Sequence, residues 1–250
     1  MSSELLIDAT HVGLEYRLSK SSYGTLKEFA ISALKRQVKY DSLWALKDVS
    51  LQVRRGHVQG IIGPNGGGKS TLLKILARVI PPTKGRVIVR GDVAPMIELG
   101  AGFNGDLTGF ENIVMYGALL GRDVDYMKKS APGIAEWAGV ADFLNVPLRS
   151  YSSGMLARLG FAVATDTTPD VLIIDEVLSV GDESFQAQSL DRMLELIESG
   201  TAVVFVSHDL SAMRRIATEV MWLDNGSIVT VGDPHEICTA YEDSVESSEI

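Results

Sequence analysis

Gly63-Pro64-Asn65-Gly66-Gly67-Gly68-Lys69-Ser70 decides the fold, because it matches the pattern G-x-x-x-x-G-K-[ST] of a phosphate-binding loop. Val58–Ile62 before it predicts a strand, and Thr71–Arg78 after it predicts a helix. Glycines let backbone amides turn toward phosphate oxygens, and the N-terminus of a helix adds a favourable dipole. We expect the Lys69 ammonium to bind the β- and γ-phosphates and the Ser70 hydroxyl to coordinate Mg²⁺. The predicted nucleotide-binding residues of this segment are Gly63, Asn65, Gly66, Gly68, Lys69, Ser70 and Thr71, and we also count Lys69 as catalytic.

The composition of the whole chain limits what the protein can be. Its 250 residues are 46% hydrophobic and 22% charged, which suits one large α/β domain or two modest ones. The formal charge of −9 argues against nucleic acid as a partner. Cys238 is the only cysteine, which excludes an internal disulfide and a cysteine-cluster metal site. We expect Cys238 to be a small buried apolar side chain.

Targeting signals are missing from the sequence. No apolar run approaches the roughly 20 residues that span a bilayer. The start, Met1-Ser2-Ser3-Glu4, lacks the basic residues and long apolar stretch of a signal peptide. We therefore expect a cytoplasmic protein whose role at a membrane, if it has one, requires a separate membrane partner.

Short β-rich runs alternate with helical patterns, which predicts a layered α/β fold. From about Leu107 to Ala164 the strand signal disappears, and Thr108 with Glu111 predicts a capping box. We interpret residues 1–250 as one nucleotide-binding domain with a helical insert at 104–165 and an acidic, solvated and partly mobile tail at 233–250. The predicted strands are Glu4–Ile7, Val12–Tyr16, Ala45–Val53, Val58–Ile62, Arg86–Val89, Val171–Ile174, Ala202–Ser207 and Val220–Leu223.

Two further strands end in polar residues that could complete the site. Val171-Leu-Ile-Ile-Asp175-Glu176 is an apolar run before two acids, and ligands bind at the carboxyl end of such buried parallel strands. We expect Asp175 to hold the Mg²⁺ shell and Glu176 to orient the attacking water. The alternative is an acid pair that only ends a strand and caps the next helix. A single histidine is usually structural, but His208 follows the strand Ala202–Ser207 after the two ATP motifs, and this position favours contact with the γ-phosphate. We therefore count His208 as catalytic, together with Glu176.

An aromatic side chain is expected to stack on the base of the nucleotide. Trp44, just before Ala45-Leu-Lys-Asp-Val, is the first candidate, and Tyr16 is the second. A tryptophan buried in the core is the competing interpretation of Trp44.

One further motif distinguishes this chain from other proteins with a phosphate-binding loop. It is Tyr151-Ser152-Ser153-Gly154-Met155, followed by a predicted helix at Leu156–Thr165. Here the chain resembles the ATP-binding subunits of ABC transporters. The resemblance implies a P-loop NTPase of the ABC type, with a RecA-like core, an antiparallel β subdomain and an inserted helical subdomain. It also implies a homodimer that sandwiches two ATP molecules, in which Ser152 and Gly154 contact the γ-phosphate held by the opposite subunit. Ser179–Asp182 matches the loop that crosses the dimer interface.

Two departures from the commonest ABC pattern narrow the resemblance. Ser153 and Met155 stand where glycine and glutamine are usual, and Glu98 stands where a glutamine normally reaches Mg²⁺. We keep Glu98 as a candidate metal ligand, although its negative charge beside a triphosphate opposes that role. With both departures, and with the sequence Glu98-Leu-Gly-Ala-Gly-Phe, the chain resembles the subgroup of ABC transporters that exports O-antigen, teichoic acid and related polysaccharides.

The resemblance to this subgroup implies an ATPase at the cytoplasmic face of the cell membrane. It also implies a membrane-spanning partner subunit and a lipid-linked polysaccharide as cargo. Some members carry an additional C-terminal sugar-binding domain. Because the sequence ends at Ile250, we expect the membrane partner to recognise the glycan, or export to be coupled to synthesis. The alternatives are the ATPase of a lipid or drug exporter, or a soluble ABC protein acting on ribosomes or DNA. A nucleotide kinase would not need the signature loop.

A segment at 21–40 is an addition to the usual ABC pattern. Its apolar residues follow helical spacing. From Arg17 to Lys39 the sequence contains six basic residues and a single acidic residue, Glu28. We expect a helix at the membrane interface, because each basic group near an anionic leaflet contributes about 1 kcal/mol. The alternative is a surface helix packed on its own domain. The apolar residues are Leu26, Phe29, Ala30, Ala33 and Leu34.

Overall fold

The computed structural model describes residues 4–19, 40–97, 102–175 and 182–248. Nine strands and seven α-helices lie within these ranges, together with two short 3-10 helices. The strands are β1 (Leu5–Ser19), β2 (Tyr40–Arg54), β3 (Val58–Ile62), β4 (Lys84–Val89), β5 (Val93–Met96), β6 (Val171–Asp175), β7 (Ala202–Val206), β8 (Glu219–Asp224) and β9 (Ser227–Gly232). The helices are α1 (Lys69–Leu76), α2 (Gly109–Leu119), α3 (Val124–Trp137), α4 (Ser153–Thr165), α5 (Glu183–Glu198), α6 (Leu210–Ile216) and α7 (Pro234–Ser248).

A six-stranded sheet forms the centre of the molecule, in the order β5-β6-β7-β3-β8-β9. Its neighbours are parallel except for the hairpin of β8 and β9. Every residue of β3 and β7 is buried, because helices or the second sheet cover both faces. That double burial explains why these strands are continuous apolar runs in the sequence.

A three-stranded antiparallel sheet, in the order β2-β1-β4, packs on one face of the centre. Its buried Val12 and Leu46 join Leu72 of α1 and Ile61 of β3 in one apolar cluster. The predicted strands Glu4–Ile7 and Val12–Tyr16 are parts of the single strand β1, whose register shifts between Ala9 and Val12.

Helices α2, α3 and α4 form the helical part, and no strand occurs in the described residues 102–170. Ile113, Met127 and Leu159, one from each helix, share a separate buried cluster. The predicted capping box is confirmed, since the Thr108 hydroxyl accepts from the Glu111 amide and the Glu111 carboxylate accepts from the Thr108 amide. The insert boundaries 104–165 stay a prediction.

Three features differ from the sequence-based expectation. β5 and β9 were missed, because β5 is four residues long with an internal proline and β9 alternates weakly at the sheet edge. Residues 234–248, which were expected to form a solvated and partly mobile tail, form the helix α7, and their mobility stays a prediction. Ile237 and Cys238 are buried among residues of the central sheet, while the acids that suggested a tail lie mainly on the exposed face of the helix. Cys238 is confirmed as a small buried side chain.

The segment at 21–40 lies, apart from Tyr40, outside the described residues, so its helix and its membrane contact stay predictions. The backbone ladder of β1 and β2 continues to the pair Ser19 and Tyr40. Residues 20–39 therefore join β1 to β2 at one end of an antiparallel ribbon.

Within the four described ranges, no helix has the length and apolar character that crossing a membrane requires.

A charged network joins the chain segments at the amino ends of the central strands. The Arg55 guanidinium donates to the Glu4 carboxylate at 3.0 Å and to the Asp170 carboxylate at 2.8 Å. Asp170 also accepts from the Asp92 amide at 3.0 Å. The hydrogen bond from the Asp92 amide, followed by that from Arg55, holds the pKa of Asp170 below its usual value.

Asp170→Asn should lower the free energy of unfolding at pH 7 by about 1–2 kcal/mol, because the charge-assisted hydrogen bonds are lost. Since the pKa of Asp170 is lower in the folded state, its carboxylate stabilises fully above its unfolded pKa of about 4. That contribution disappears as the pH falls through the lower folded pKa. Urea titrations from pH 3 to 7 should therefore show the difference from wild type shrinking below about pH 4. The exposed Asp142→Asn is the control, and a difference that does not change with pH would contradict the assignment.

Candidate active site

Three strands of the central sheet end level with one another at its carboxyl edge. Ile61 of β3 pairs with Val206 of β7, which pairs with Asp175 of β6. The phosphate loop that follows Ile62, the Asp175 carboxylate and the Ser207-His208 segment therefore meet at one edge. Ligands of parallel α/β sheets bind at such an edge.

The phosphate loop takes a backbone shape that requires glycine at its end. Gly68 has a φ of 107° and precedes the first turn of α1. A Cβ atom on Gly68 would lie 2.7 Å from the Ala45 carbonyl oxygen of β2. The loop therefore packs directly against the backbone of the second sheet, and its amides and the start of α1 together form an anion site.

Lys69 is 7% exposed, and its ammonium donates to the carbonyl oxygens of Gly63 at 2.7 Å and Pro64 at 2.9 Å. The loop thus holds the lysine head inside its own curve. Asn65 and Ser70 are exposed at the mouth of the loop. This arrangement suits the predicted binding of phosphate by the loop and Lys69.

A hairpin turn braces the loop from behind. Asn225 and Gly226 both have positive φ, of 47° and 75°, as the two-residue turn between β8 and β9 requires. The Gly226 amide donates to the Gly67 carbonyl at 2.9 Å, and the Gly226 carbonyl accepts from the Lys47 amide at 2.6 Å. One residue therefore joins the phosphate loop to β2. Gly226 was not among the predicted site residues, although Asn-Gly between two apolar runs is a strong hairpin signal.

His208 lies exposed just after β7. The Ser207 hydroxyl accepts from the Asp209 amide at 3.0 Å, and the Asp209 carboxylate accepts from the amides of Ser211 and Ala212 at the start of α6. The Ser211 hydroxyl, as the strongest contributor, lowers the pKa of Asp209. The segment that carries His208 is therefore fixed at both ends, by β7 and by a capped helix.

Glu176 and Glu98 lie outside the described residues, as do Ser179 to Gly181. Their predicted roles, as catalytic base, metal ligand and interface loop, stay predictions. Asp182 is described, and its carboxylate caps α5 by accepting from the Phe185 amide at 2.9 Å and binds Arg158 at 2.7 Å.

Ser70 and Asp175 are the described candidates for Mg²⁺. One supplies a hydroxyl in the first turn of α1, and the other supplies a carboxylate at the end of β6. Mg²⁺ is usually held by one or two protein oxygens together with substrate phosphates, so this small donor set fits it. Among the described residues, no group of three histidine, cysteine or acidic side chains could hold a metal by itself.

The predicted signature residues stand at the start of α4. Ser152 caps this helix, since its hydroxyl accepts from the Met155 amide at 3.2 Å, and its side chain is exposed. A Cβ atom on Gly154 would meet only Ser152 Oγ, at 3.8 Å. A helix start with an exposed hydroxyl is a surface that can bind the phosphate of another subunit.

The two aromatic candidates for the adenine contact differ in exposure. Trp44 is half-buried, and the Lys84 ammonium lies 4.5 Å from its ring centre. Tyr16 is 41% exposed. Trp44 is not the fully buried core residue of the competing interpretation, and it precedes Ala45, which packs on the phosphate loop. Of the two rings, Tyr16 is the more accessible.

Together, a glycine-rich phosphate loop between β3 and α1 and an acid at the end of β6 define a nucleotide-binding protein of the P-loop class. The added antiparallel sheet and the helical part, with a capped helix start, are those of an ATP-binding cassette. Residues 46–179 match the ABC transporter family, and the chain belongs to that family.

Two proteins that are similar to nearly the whole chain are ATP-binding proteins of export systems. The chain is 38% identical to the teichoic acids export ATP-binding protein TagH of Listeria monocytogenes serotype 4b (strain F2365), over 98% of this chain and 72% of that protein. It is 39% identical to the O-antigen export system ATP-binding protein RfbB of Klebsiella pneumoniae, over 96% of this chain and 98% of that protein.

A solved structure confirms the predicted fold class. The ATP-binding cassette MJ0796, in a dimeric post-hydrolysis state bound to ADP and Pi, superposes with a TM-score of 0.75 at 20% identity. The superposition covers 92% of this chain and 99% of that chain.

Gly226→Ala should weaken ATP binding by about tenfold, because the added Cβ would lie 2.6 Å from the Ala45 carbonyl oxygen and displace the brace. Gly121→Ala is a matched control, since Gly121 also has a positive φ, of 81°, but its Cβ would meet nothing within 4 Å. Both variants carry the backbone strain of about 1 kcal/mol. Equilibrium titration with a fluorescent ATP analogue measures the difference, and equal affinities in the two variants would contradict the role of Gly226.

Proposed function

We propose that this chain is the ATP-hydrolysing subunit of an ABC exporter that moves a lipid-linked cell-surface polysaccharide across the cell membrane. The observation that supports it most strongly is the similarity to teichoic acid and O-antigen export ATP-binding proteins over 96–98% of the chain. The subunit works on the cytoplasmic face, beside a membrane-spanning partner.

Two copies of the chain bind two ATP molecules between them. The phosphate loop and the Lys69 ammonium hold the β- and γ-phosphates, and the adenine stacks on Trp44 or Tyr16. Ser152 and Gly154 of the second copy contact the γ-phosphate. Mg²⁺, held by Ser70 and Asp175 with Glu98 as a further candidate, would supply positive charge that stabilises the phosphate oxygens.

Hydrolysis uses groups at the carboxyl edge of the sheet. Glu176 orients a water molecule and accepts its proton as the oxygen bonds to the γ-phosphorus. The bond from the γ-phosphorus to the bridging oxygen breaks, and ADP and phosphate are the products. His208, fixed between β7 and α6, contacts the γ-phosphate. Because the phosphate joins the two copies, its loss removes the contacts that hold the dimer closed.

The partner subunit binds beside the edge strand β5. A cavity of about 320 Å³ there is lined mainly by apolar side chains, among them Pro95, Tyr116 and Leu119. Leu119 is 66% exposed and the neighbouring Val79 is 62% exposed. Apolar side chains that are this accessible suit a protein interface. The adjoining loop Phe103–Thr108 passes the motion of the cassette to the partner.

Glu176→Gln should bind ATP with unchanged affinity, form a stable ATP-dependent dimer and lose hydrolysis by about a hundredfold or more, because the amide cannot accept the proton of water. Phosphate release measures hydrolysis, analytical ultracentrifugation measures dimerisation, and titration with a fluorescent ATP analogue measures the affinity. The exposed Glu198→Gln is the matched control. Turnover at the wild-type rate in Glu176→Gln would refute the role of Glu176.

Depletion of the chain in its source organism tests the cargo. Lipid-linked glycan should accumulate on the cytoplasmic side while the surface polymer disappears, and membrane-impermeant labelling of the glycan reports the side. Wild-type complementation should restore the surface polymer, and complementation with Glu176→Gln should not. Normal surface glycan during depletion would assign the ATPase to another transporter class.

A further inference from the structure

Two loops of the helical part are joined by their backbones. Residues 104–110, which precede and begin α2, run antiparallel to residues 144–149, which lead to the signature segment. We call this pairing the strap. Its centre is an isolated β-bridge between Thr108 and Pro147. The hydrogen bonds run from the Leu148 amide to the Leu107 carbonyl (2.9 Å), Arg149 to Gly105 (2.9 Å), Gly109 to Val146 (3.1 Å) and Phe110 to Leu144 (2.8 Å).

A single buried amide holds the first side of the strap in shape. Asn112 in α2 is 0% exposed. Its Oδ1 accepts from the Asn104 amide at 2.8 Å, which fixes the start of the loop. Its Nδ2 lies within hydrogen-bond distance of three carbonyl oxygens, those of Asn104 (3.0 Å), Leu107 (3.1 Å) and Thr108 (2.9 Å).

Asparagine is a costly residue at this position. It lowers helix stability by several tenths of a kcal/mol relative to alanine, and a buried amide without partners costs about 1–3 kcal/mol. Here both polar atoms are satisfied by the loop backbone. The side chain therefore replaces the secondary structure that the loop lacks, and a residue without an amide NH₂ cannot do so.

The other side of the strap leads directly into the signature segment. The Tyr151 amide donates to the Leu148 carbonyl at 2.9 Å, and the Tyr151 hydroxyl donates to the Phe143 carbonyl at 2.7 Å. Tyr151 is 7% exposed, and the next residue is Ser152, the cap of α4. The position of Ser152 thus depends on residues 143–149, whose backbone is paired with the loop that Asn112 holds.

We propose that Asn112 is a positioning residue for the trans phosphate contact of Ser152 and Gly154. The inference rests on the proposed ATP sandwich. Loss of the Asn112 donor releases the carbonyls of the loop, loosens the strap and displaces the start of α4. The phosphate loop of the same subunit lies on a different element and keeps its affinity for ATP. The defect therefore falls on ATP-driven dimer closure.

Asn112→Asp in the Glu176→Gln chain tests the proposal, because it preserves size while turning a carboxylate oxygen toward three carbonyls. Asn145→Asp is the matched control, since Asn145 is exposed in the strap itself. A fluorescent ATP analogue, at protein concentrations below dimerisation, should bind both variants within about twofold of the parent. Sedimentation with Mg-ATP should show dimerisation at least tenfold weaker for Asn112→Asp and unchanged for Asn145→Asp.

A second variant covers the case in which Asn112→Asp does not fold. Asn104→Ala removes the side-chain oxygen that accepts from the Asp106 amide at 3.0 Å in the exposed part of the loop. It should weaken dimerisation about threefold or more, against no change for Asn145→Ala. Normal dimerisation of the folded Asn112→Asp and Asn104→Ala variants would overturn the proposal. A parent Glu176→Gln chain that does not dimerise with ATP would instead refute the proposed sandwich.

Discussion

Close backbone contact between the phosphate loop and its neighbours is the constraint on which the site depends. The Gly226 amide bonds the Gly67 carbonyl, and a Cβ on Gly68 or Gly226 would approach the Ala45 carbonyl to 2.7 or 2.6 Å. Backbones at such distances leave no room for side chains. The loop is thereby held between the central sheet, the antiparallel sheet and the β8–β9 turn, and its amides are oriented before phosphate binds. Preorganised donors of this kind lose little entropy on binding.

Groups that are far apart in sequence lie together at the carboxyl edge of the central sheet. Ile61, Val206 and Asp175 are level because the parallel ladder aligns β3, β7 and β6. These strands are buried, so packing in the core holds in place the groups at its edge. The capped start of α6 then limits the freedom of the segment that carries His208.

The helical part presents its signature residues outward, as the proposed contact with a second subunit requires. Ser152 stands exposed at the start of α4 while Tyr151 beside it is buried. The strap and the buried amide of Asn112 connect this start to residues 104–110, which precede and begin α2. Because α2 runs from this loop to Leu119, the proposed partner surface and the proposed trans phosphate contact are joined through hydrogen-bonded backbone. Coupling through such a network needs two arrangements that ATP binding favours unequally.

The sequence by itself determined those features of the protein that depend on residues close together in the chain. The phosphate loop, the buried strands β3, β6 and β7, and the Thr108–Glu111 capping box follow from residue types at fixed spacing. Tertiary structure decided what depends on distant partners. The acidic segment after Asp233 forms α7 because Ile237 and Cys238 pack against an apolar surface of the central sheet. Gly226 acquired its role because its bonds reach Gly67 and Lys47, which are far away in sequence and are brought near only by folding. The bonds of Asn112 are local, but its proposed effect on Ser152 depends on the pairing of residues 104–110 with residues 144–149, which no local pattern encodes.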